Sequence, residues 1–587
     1  MGTFEVLQLI CGLALFLYGM DVMGNALKKS AGSGLKTMLG KMTSNPIKGF
    51  ILGLVVTAVI QSSSATTVMV VGFVNSGTMT LLQSVGVIMG ANLGTAVTSW
   101  LTALSGLNSD SAAEALGALK WLKPDAWMPV LALIGILLLM FAKRGKKKDI
   151  GIILLGFAVL MVGMEYMSDS VSGLKEDESF KQLLAKFDNP FLCMLAGLVL
   201  TMIVQSSSAS IGILQSLTVT GAITFGSAIP IIVGQNIGTC ITAILSSISA
   251  NKNGKRAALI HLYFNVIGAA VILGAFYIID AFANFAFVAD TIDMWGVAGV
   301  HTVFKILSVI IIGPFYKQLE KLARLTIRDK EGEVETENLL DDRLLATPGI
   351  AVSRAFEVAT DMAEISIKAL KDSLSLFNNY DVKLADRVRD LENKADTYED
   401  ALGTYLVKVS ACNLDQRDSK QVTELLHIIG DLERISDHAV NIVESAEEMK
   451  DKKITFSEEA QRELAVMRLA IDDILTATRD AFINTDVRKA AEVEPLEQVV
   501  DDMRDQIKLN HIIRLQKSEC TIEHGFILSD LLTNFERVSD HCSNVAGCVI
   551  EISQYDALDM HKYLAGVRAG SAGFEEKYNE YKRKYNI

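Results

Sequence analysis

The sequence lacks the short motifs that mark most soluble enzymes. It has no GxSxG nucleophile elbow, no histidine base near its serine triplets, and no Walker A loop for ATP. Its seven cysteines are scattered, with no CxxC pair and no zinc-ligand spacing. We therefore expect reduced thiols without a metal role, in a protein that is not an enzyme.

Basic residues are absent from the N-terminal flank, where a secretory signal would need them. No Lys or Arg precedes the apolar stretch from Val6 to Tyr18. Glu5 stands in the place of a positively charged n-region. This pattern favours a first membrane helix that is retained.

Acidic residues are scarce in one part of the chain and abundant in the other. Residues 1–316 contain 19 Lys or Arg and 15 Asp or Glu, whereas residues 317–587 contain 36 and 53. Half of all residues are hydrophobic and the mean hydropathy is +0.32, which is high for a soluble protein. We infer two unlike parts. The acidic part would be repelled by nucleic acid, so no nucleic-acid partner is expected.

Long apolar runs with few charges predict a polytopic membrane domain over residues 1–316. After Pro314 the composition changes abruptly, and we interpret 317–348 as a linker. The remaining 349–587 is amphipathic with almost no proline, which predicts a soluble helical domain. The expected fold class is all-α.

The membrane part is a duplication with an offset of 144 residues. The motif Gln-Ser-Ser-Ser-Ala occurs at Gln61–Ala65 and again at Gln205–Ala209. The segments 53–98 and 197–242 share 17 identities in 46 positions without a gap. We expect two structural repeats, at about 1–142 and 143–316.

The loops indicate that the two repeats are inverted in the membrane. Loop 28–48 has five lysines and no acid, which predicts a cytoplasmic position, whereas its counterpart 168–190 is mainly acidic. Only one net crossing then fits between loop 28–48 and the outer loop 104–127. We therefore expect 49–77 to enter and return as a re-entrant hairpin broken at the motif, and 191–222 to do likewise.

Broken helices in pairs related by inversion are typical of secondary transporters, which use the exposed backbone groups to bind substrate. Free N–H groups suit an anion, and carbonyl and hydroxyl oxygens suit Na⁺. A close packing of small residues is the plainer explanation for a single serine. The candidate anion and sodium residues are Gln61, Ser62, Ser63, Ser64, Asn92, Thr95, Gln205, Ser206, Ser207, Ser208, Asn236 and Thr239.

These motifs resemble the type II sodium/phosphate cotransporter family over about residues 1–316. The resemblance is carried by QSSSA followed by GANLGT (Gly90–Thr95), and by QSSSA followed by GQNIGT (Gly234–Thr239). It implies that inorganic phosphate and the coupling ion Na⁺ bind at both QSSS segments.

The family also has H-x-x-F-N elements, matched by His261, Phe264 and Asn265. In the second element His301 and Phe304 match, but Lys305 replaces the asparagine. A buried lysine is costly in a membrane. We consider two explanations: the ammonium replaces a bound cation or attracts the anion, or it snorkels or pairs with an acid elsewhere.

The soluble part contains a second duplication, with ExxxD pairs at offsets of 105 and 103 residues. Glu and Asp at i and i+4 lie on one helix face, and clusters of carboxylates favour hard or borderline cations. A solvated acidic face is the alternative. The candidate metal ligands are Glu392, Asp396, Glu433, Asp437, Glu497, Asp501, Glu536 and Asp540.

This arrangement resembles the PhoU family of phosphate-uptake regulators over about residues 350–565. The resemblance implies two three-helix bundles whose ExxxD motifs bind a divalent metal or iron. It also makes His438 and His541 further candidates beside the carboxylates.

The sequence therefore predicts a multi-pass protein of the cell membrane that couples phosphate transport to Na⁺ and is regulated by a cytoplasmic PhoU-like domain. The predicted partners are phosphate, sodium and the lipid bilayer, and a homodimer is left open. The alternatives are a phosphate exporter and a phosphate-sensing receptor without coupled transport.

Overall fold

The computed structural model describes residues 3–40, 46–108, 124–142, 146–176, 189–328, 340–377, 380–553 and 572–587. Within these ranges the regular structure is helical, with no β-strand, and the prediction of an all-α fold is confirmed. The chain divides into an N-terminal unit, Met1–Thr347, and a C-terminal unit, Pro348–Ile587. Residues 329–339 of the predicted linker lie outside the described residues, as do most of loops 104–127 and 168–190.

The N-terminal unit contains fourteen described α-helices. In chain order they are α1 Thr3–Gly40, α2 Pro46–Ile60, α3 Ser63–Asn75, α4 Leu81–Gly94, α5 Ala96–Ala103, α6 Pro124–Phe141, α7 Lys146–Ser172, α8 Pro190–Val204, α9 Ser207–Thr218, α10 Phe225–Gly238, α11 Cys240–Ser247, α12 Lys252–Ala283, α13 Met294–Ile312 and α14 Tyr316–Thr326. Six helical segments of the described residues are long and apolar enough to cross a membrane, whereas α2, α3 and α8 are shorter.

Helices α1 and α7, which begin the two repeats, pack against each other in opposite directions. A Cβ added to Gly12 would lie 2.9 Å from the carbonyl oxygen of Gly163, and one added to Gly19 would lie 2.7 Å from that of Gly156. As the numbers rise along α1 they fall along α7, so the helices are antiparallel. Gly12 and Gly156 are equivalent positions, as are Gly19 and Gly163, so the contact repeats itself about a pseudo-two-fold axis. Inverted repeats require this relation.

The chain turns back at each motif, as expected for a hairpin, and α2 contacts α3 as α8 contacts α9. Thr57 on α2 and Thr66 on α3 are nine residues apart, and a continuous helix would separate them by about 13 Å. Their hydroxyls are 3.0 Å apart, within hydrogen-bonding distance. The two helices therefore run side by side from the break.

Repeated glycines allow each hairpin to cross the next helix closely. A Cβ on Gly90 of α4 would lie 1.9 Å from the carbonyl oxygen of Phe50 on α2, and its counterpart Gly234 of α10 is 1.9 Å from that of Met194 on α8. Any side chain would force the helices apart. The identity of these glycines in the two repeats thus has a packing cause.

The C-terminal unit contains two groups of three long helices, with two short helices beside them. The helices are α15 Pro348–Ser375, α16 Val382–Ser410, α17 Gln416–Asp451, α18 Glu458–Asn484, α19 Val487–Ala490, α20 Val493–Gln516, α21 Ile522–Ser553 and α22 Ala572–Lys584. Helices α15, α16 and α17 pack together, as do α18, α20 and α21. The groups join mainly through α17 and α21, and their apolar stripes form the buried core.

Candidate functional site

Each QSSSA motif lies at the break between the two helices of its hairpin. Gln61 (φ 58°) and Gln205 (φ 55°) are in the left-handed region and end α2 and α8. The next serine is extended, and Ser62 Oγ and Ser206 Oγ accept hydrogen bonds from the backbone N–H of the alanine three residues later (3.1 and 3.2 Å). The first serine of each triplet is therefore an N-cap, a role that the sequence analysis did not assign.

The other two serines of each triplet form the first turn of the second helix. Ser63, Ser207 and Ser208 are buried, and Ser64 is half-buried. The N–H groups of a first turn have no partner within their own helix and lie at the positive end of its dipole. The structure thus brings two helix starts with hydroxyl side chains into the interior of the N-terminal unit, as the motif predicts.

The glutamines differ between the two breaks although their backbones match. Gln61 is buried, and its Oε1 accepts a hydrogen bond from Thr98 Oγ1 on α5 (2.8 Å). Gln205 is exposed, and the counterpart of Thr98, Thr242, donates instead to the backbone of Thr239 (3.0 Å). The first break is closed by a side-chain contact that the second does not make.

The hydroxyls near the breaks show the same difference. In the first repeat Thr57 donates to Thr66. Their counterparts Thr201 and Ser210 are buried, and neither hydroxyl oxygen has a hydrogen-bond partner among the described residues. The Oε1 atom of Gln235 also has none, although its Nε2 donates to the carbonyl of Ser210 (2.9 Å). The second hairpin and α10, the next helix, therefore contribute three buried oxygen atoms without a described partner.

Of the four supporting residues predicted at the NxGT motifs, three bond to their own helix. Thr95 and Thr239 donate to the carbonyls four residues earlier (3.4 and 2.9 Å), and so does Asn236 (2.9 Å). Asn92 differs, because its Nδ2 donates to Asn265 Oδ1 on α12 (3.0 Å). The structure places all four in the interior, but only Asn92 links separate helices through its side chain.

A second buried polar network, which the sequence analysis missed, connects the two repeats. Gln215 of α9 accepts from Thr102 Oγ1 (2.6 Å) and donates to the carbonyls of Ser99 and Met294 (3.0 and 3.1 Å). Ser99 Oγ also bonds to His301 Nδ1 (2.7 Å). The available signal was the presence of these polar side chains inside otherwise apolar runs, since buried polar groups require partners.

In the C-terminal unit the first ExxxD set brings acids of α16 and α17 near one another. Burial, followed by the charges of Asp437 and Asp396, raises the pKa of Glu392. Burial, then the proximity of Asp437, raises the pKa of Glu433 to about 7, and Glu399 adds to this repulsion. The set is therefore a mutually repelling group of carboxylates.

The carboxylates of the second ExxxD set are paired with an arginine side chain. Arg504 of α20 contacts Asp501 (3.3 Å) and Glu536 of α21 (3.0 Å). Burial still raises the pKa of Asp540, with smaller contributions from Glu536 and Asp501. At the position of Arg504 the first set has Glu399, which is 105 residues earlier.

The geometry of the two ExxxD sets indicates which of them could hold the predicted metal ion. Among the residues that the structure describes, no three His, Cys, Asp or Glu side chains are grouped closely enough to hold a metal ion. The second set does not fit a metal as arranged, because Arg504 supplies the positive charge between its carboxylates. His438 and His541 bond through Nδ1 to Asn534 and Asp431 (both 2.8 Å) rather than to the ExxxD carboxylates. Metal binding by the first set stays a prediction.

Comparison with known proteins assigns the family. The Na⁺/Pi-cotransporter family matches residues 15–169 and 163–295, which overlap the two repeats. The uncharacterized protein YqeW of Bacillus subtilis is 30% identical over 321 residues, covering 54% of this chain and 97% of YqeW. The chain belongs to the Na⁺/Pi-cotransporter family. The resemblance inferred from the paired motifs is therefore confirmed.

This cotransporter-family chain also carries the PhoU domain, which matches residues 359–446 and 464–549. The putative inorganic phosphate export protein YjbB of Salmonella typhimurium is 24% identical over 561 residues, 94% of this chain and 98% of YjbB. The sodium-dependent phosphate transport protein 2A of Rattus norvegicus is 22% identical over 372 residues, 44% of this chain and 58% of that protein. No solved structure matches the chain.

Proposed function

We propose that the N-terminal unit is a secondary transporter that couples inorganic phosphate to Na⁺ across the cell membrane, and that the PhoU-like C-terminal unit regulates it. The observation that supports this most is the pair of helix breaks at the QSSSA motifs. Broken helices in inverted repeats are the feature from which secondary transporters build substrate and ion sites.

Phosphate is assigned to the two helix starts that follow the breaks. The N-terminal turns of α3 and α9 offer backbone N–H groups, and hydroxyls of the serine triplets lie beside them. Such a turn binds a phosphate oxyanion through its dipole and its free donors. The sequence predicted these residues, and the burial of Ser63, Ser207 and Ser208 supports their use inside the protein.

Sodium is assigned to the second hairpin together with α10, the helix that follows it. Thr201, Ser210 and Gln235 each present a buried oxygen atom without a partner among the described residues. Leaving a polar atom buried without a hydrogen bond costs about 1–3 kcal/mol, and a hard cation bound through oxygen would recover this cost. Thr201, Ser210 and Gln235 thus extend the predicted sodium residues beyond the motif.

The route of regulation is assigned to the segment that precedes the C-terminal unit. Asp341 is buried and accepts a hydrogen bond from Asn75 Nδ2 at the end of α3 (2.7 Å). Arg343 bonds to Asp341 (2.6 Å) and donates to the carbonyl of Ser246 in α11 (2.8 Å). This segment therefore joins the first hairpin to the second repeat. A displacement of the segment by the C-terminal unit would change the contacts of both.

The same contact supports a cytoplasmic C-terminal unit. If 49–77 enters and returns on the side of the lysine-rich loop 28–48, Asn75 lies on the cytoplasmic side. Asp341 contacts Asn75 and precedes the C-terminal unit by a few residues. The homodimer and the lipid contacts stay predictions.

Flux measurements in proteoliposomes would test the coupling. With an imposed inward Na⁺ gradient, radiolabelled phosphate should accumulate, and replacement of Na⁺ by choline should reduce the rate strongly. Ser207→Ala and Ser63→Ala should lose flux, whereas Ser553→Ala, in the last turn of α21, serves as the matched control. No Na⁺-dependent flux in either direction would reject the transporter and favour a receptor.

Phosphate export is the second candidate function, favoured by the similarity to the putative inorganic phosphate export protein YjbB, which aligns over nearly the whole chain. The same vesicles, loaded with phosphate inside, distinguish it. Export predicts faster efflux than uptake when the C-terminal unit faces the phosphate-rich side. Equal exchange in both directions would instead indicate a reversible symporter whose direction follows the gradients.

A further inference from the structure

Lys305 is a buried lysine in the interior of the N-terminal unit. It lies on α13 and is 4% exposed. Its Nζ donates to Asn92 Oδ1 (2.5 Å). Within the described ranges, none of the ion pairs involves Lys305, so the sequence-based explanation by pairing with an acid is not supported there. Snorkelling is also not supported, because the ammonium is bonded in the interior.

The position of Lys305 is at the meeting point of the two repeats. Asn92 belongs to the GANLGT motif of the first repeat and also bonds to Asn265 of α12. Helix α13 contacts α4, which carries the GANLGT motif of the first repeat, and α10, which carries most of the GQNIGT motif of the second repeat. In transporters built from inverted repeats, substrate lies at such an interface.

The ammonium is incompletely satisfied by the protein. A lysine Nζ carries three donors, and the described residues provide one acceptor, the neutral amide of Asn92. An amide oxygen accepts a hydrogen bond but does not neutralise the charge. Burying a cation without an anion is costly, and the cost is recovered when an anion binds beside it. The N-terminal unit has no described carboxylate beside Lys305, so an anion that keeps this amine protonated would come from outside the chain.

We propose that Lys305 is the fixed counter-charge of the transported phosphate and takes the place of one coupling cation. This inference rests on the proposed function, because it assigns the anion to the transported substrate. The ammonium contributes to phosphate binding whether or not Na⁺ is bound. The chain should therefore need fewer Na⁺ ions per phosphate than a variant with asparagine at this position, the residue that the second H-x-x-F-N element would have.

Equilibrium binding of radiolabelled phosphate to the full chain in nanodiscs tests the proposal, using Lys305→Asn, Lys305→Arg and the control Lys255→Asn, since Lys255 is exposed. At low Na⁺, Lys305→Asn should weaken phosphate binding about tenfold or more, the size expected for a lost charge-assisted contact. High Na⁺ should restore part of this affinity with a steeper Na⁺ dependence. Lys305→Arg and Lys255→Asn should bind within about threefold of the unaltered chain.

Three results would overturn the proposal. The first is unchanged phosphate affinity and Na⁺ dependence in Lys305→Asn. The second is a loss in Lys305→Arg as large as in Lys305→Asn, which would indicate a steric role. The third needs no variant and so does not depend on folding: with choline in place of Na⁺, the unaltered chain should still bind phosphate measurably, and undetectable binding would reject a built-in counter-charge.

The readouts separate this inference from the proposed function. If the flux assay detects no Na⁺-dependent transport while Lys305→Asn still weakens phosphate binding, the counter-charge stands and the coupling fails. If flux is Na⁺-dependent and Lys305→Asn does not change phosphate binding, the coupling to Na⁺ is supported and the counter-charge role of Lys305 is rejected.

Discussion

The two QSSSA hairpins have the same backbone and different side-chain environments. Their breaks match in the left-handed glutamine, the extended serine cap and the glycine crossing with the next helix. In the first hairpin Gln61 and Thr57 are satisfied by Thr98 and Thr66. In the second, Gln205 is exposed and two hydroxyls have no described partner. Local sequence thus sets the break, and the neighbouring helices set its chemistry.

The ExxxD copies of the C-terminal unit differ in a parallel way. Arg504 pairs with two carboxylates of the second set, whereas Glu399 at the equivalent position adds a negative charge to the first. In both units one copy is satisfied by the chain itself, while the other retains unpaired or repelling polar groups. Unsatisfied copies are where ligands are expected, since binding removes the cost.

The largest loss of stability is expected at the glycine crossings, which the two hairpins share. Gly90→Ala and Gly234→Ala each place a Cβ 1.9 Å from a carbonyl oxygen of the facing helix, which should cost about 3 kcal/mol or more. Gly299→Ala on α13 meets nothing within 4 Å and is the control. Detergent-solubilised yield and melting temperature measure the effect. A normal melting temperature in either crossing variant would contradict the close packing.

Replacing each of the two glutamines by alanine should affect the stability of the two hairpins differently. Gln61→Ala leaves Thr98 without its acceptor and should lower stability by about 1–3 kcal/mol, whereas Gln205→Ala removes an exposed side chain. Both positions have positive φ, so the backbone cost of alanine is shared and cancels in the comparison. Thermal unfolding of the two variants side by side provides the measurement. Equal melting temperatures would show that the breaks are equivalent in solution.

Removing the hydroxyls should have opposite consequences in the two hairpins. Without Na⁺, Thr201→Val or Ser210→Ala should raise stability by about 1 kcal/mol, because each removes a buried hydroxyl that has no described partner. Each should also raise the Na⁺ concentration for half-maximal phosphate uptake about tenfold, as expected for one lost cation ligand. Thr57→Val breaks the bond to Thr66 and should lower stability by about 1 kcal/mol with little change in Na⁺ dependence. A changed Na⁺ dependence in Thr57→Val, with none in the variants of the second hairpin, would instead place the proposed sodium site at the first hairpin.

The smallest effect is expected from making the first ExxxD set resemble the second. Burial and repulsion by Asp437 and Glu399 raise the pKa of Glu433 to about 7, so its charge opposes folding as the pH rises from its unfolded value near 4.5. The cost is absent below that value and complete above pH 7. Glu399→Arg should therefore raise stability at pH 8 by about 1 kcal/mol, discounted for solvent screening, and change it little at pH 4.

Denaturant unfolding of the full chain at both pH values tests this last expectation, with Arg488→Gln, an exposed site on α19, as the control. A gain of equal size at pH 4 and pH 8 would show that the substitution acts through packing rather than through the titration of Glu433.

Part of the site followed from the sequence because its cause is local or repeated. The breaks at Gln61 and Gln205 were predicted from loop charges and the duplicated motif, and the helical faces that carry Glu433 and Asp437 from i, i+4 spacing. The N-cap role of Ser62, the network through Gln215 and the ion pairs of Arg504 were missed. Each depends on a partner from another helix or on the local backbone, which spacing does not specify.

The sequence by itself determined the duplications, the all-α fold, the inverted arrangement and the family. These depend on hydrophobic periodicity, loop charge and repeated motifs, which are properties of short segments. Only the tertiary structure decided which equivalent polar atoms have partners. The antiparallel packing of α1 against α7 relates the two repeats. Helix α13, which carries Lys305, contacts α4 of the first repeat and α10 of the second, and it has no described counterpart in the first repeat. The physical reason is that a buried polar group is satisfied by whatever lies opposite it, and two identical motifs face different neighbours.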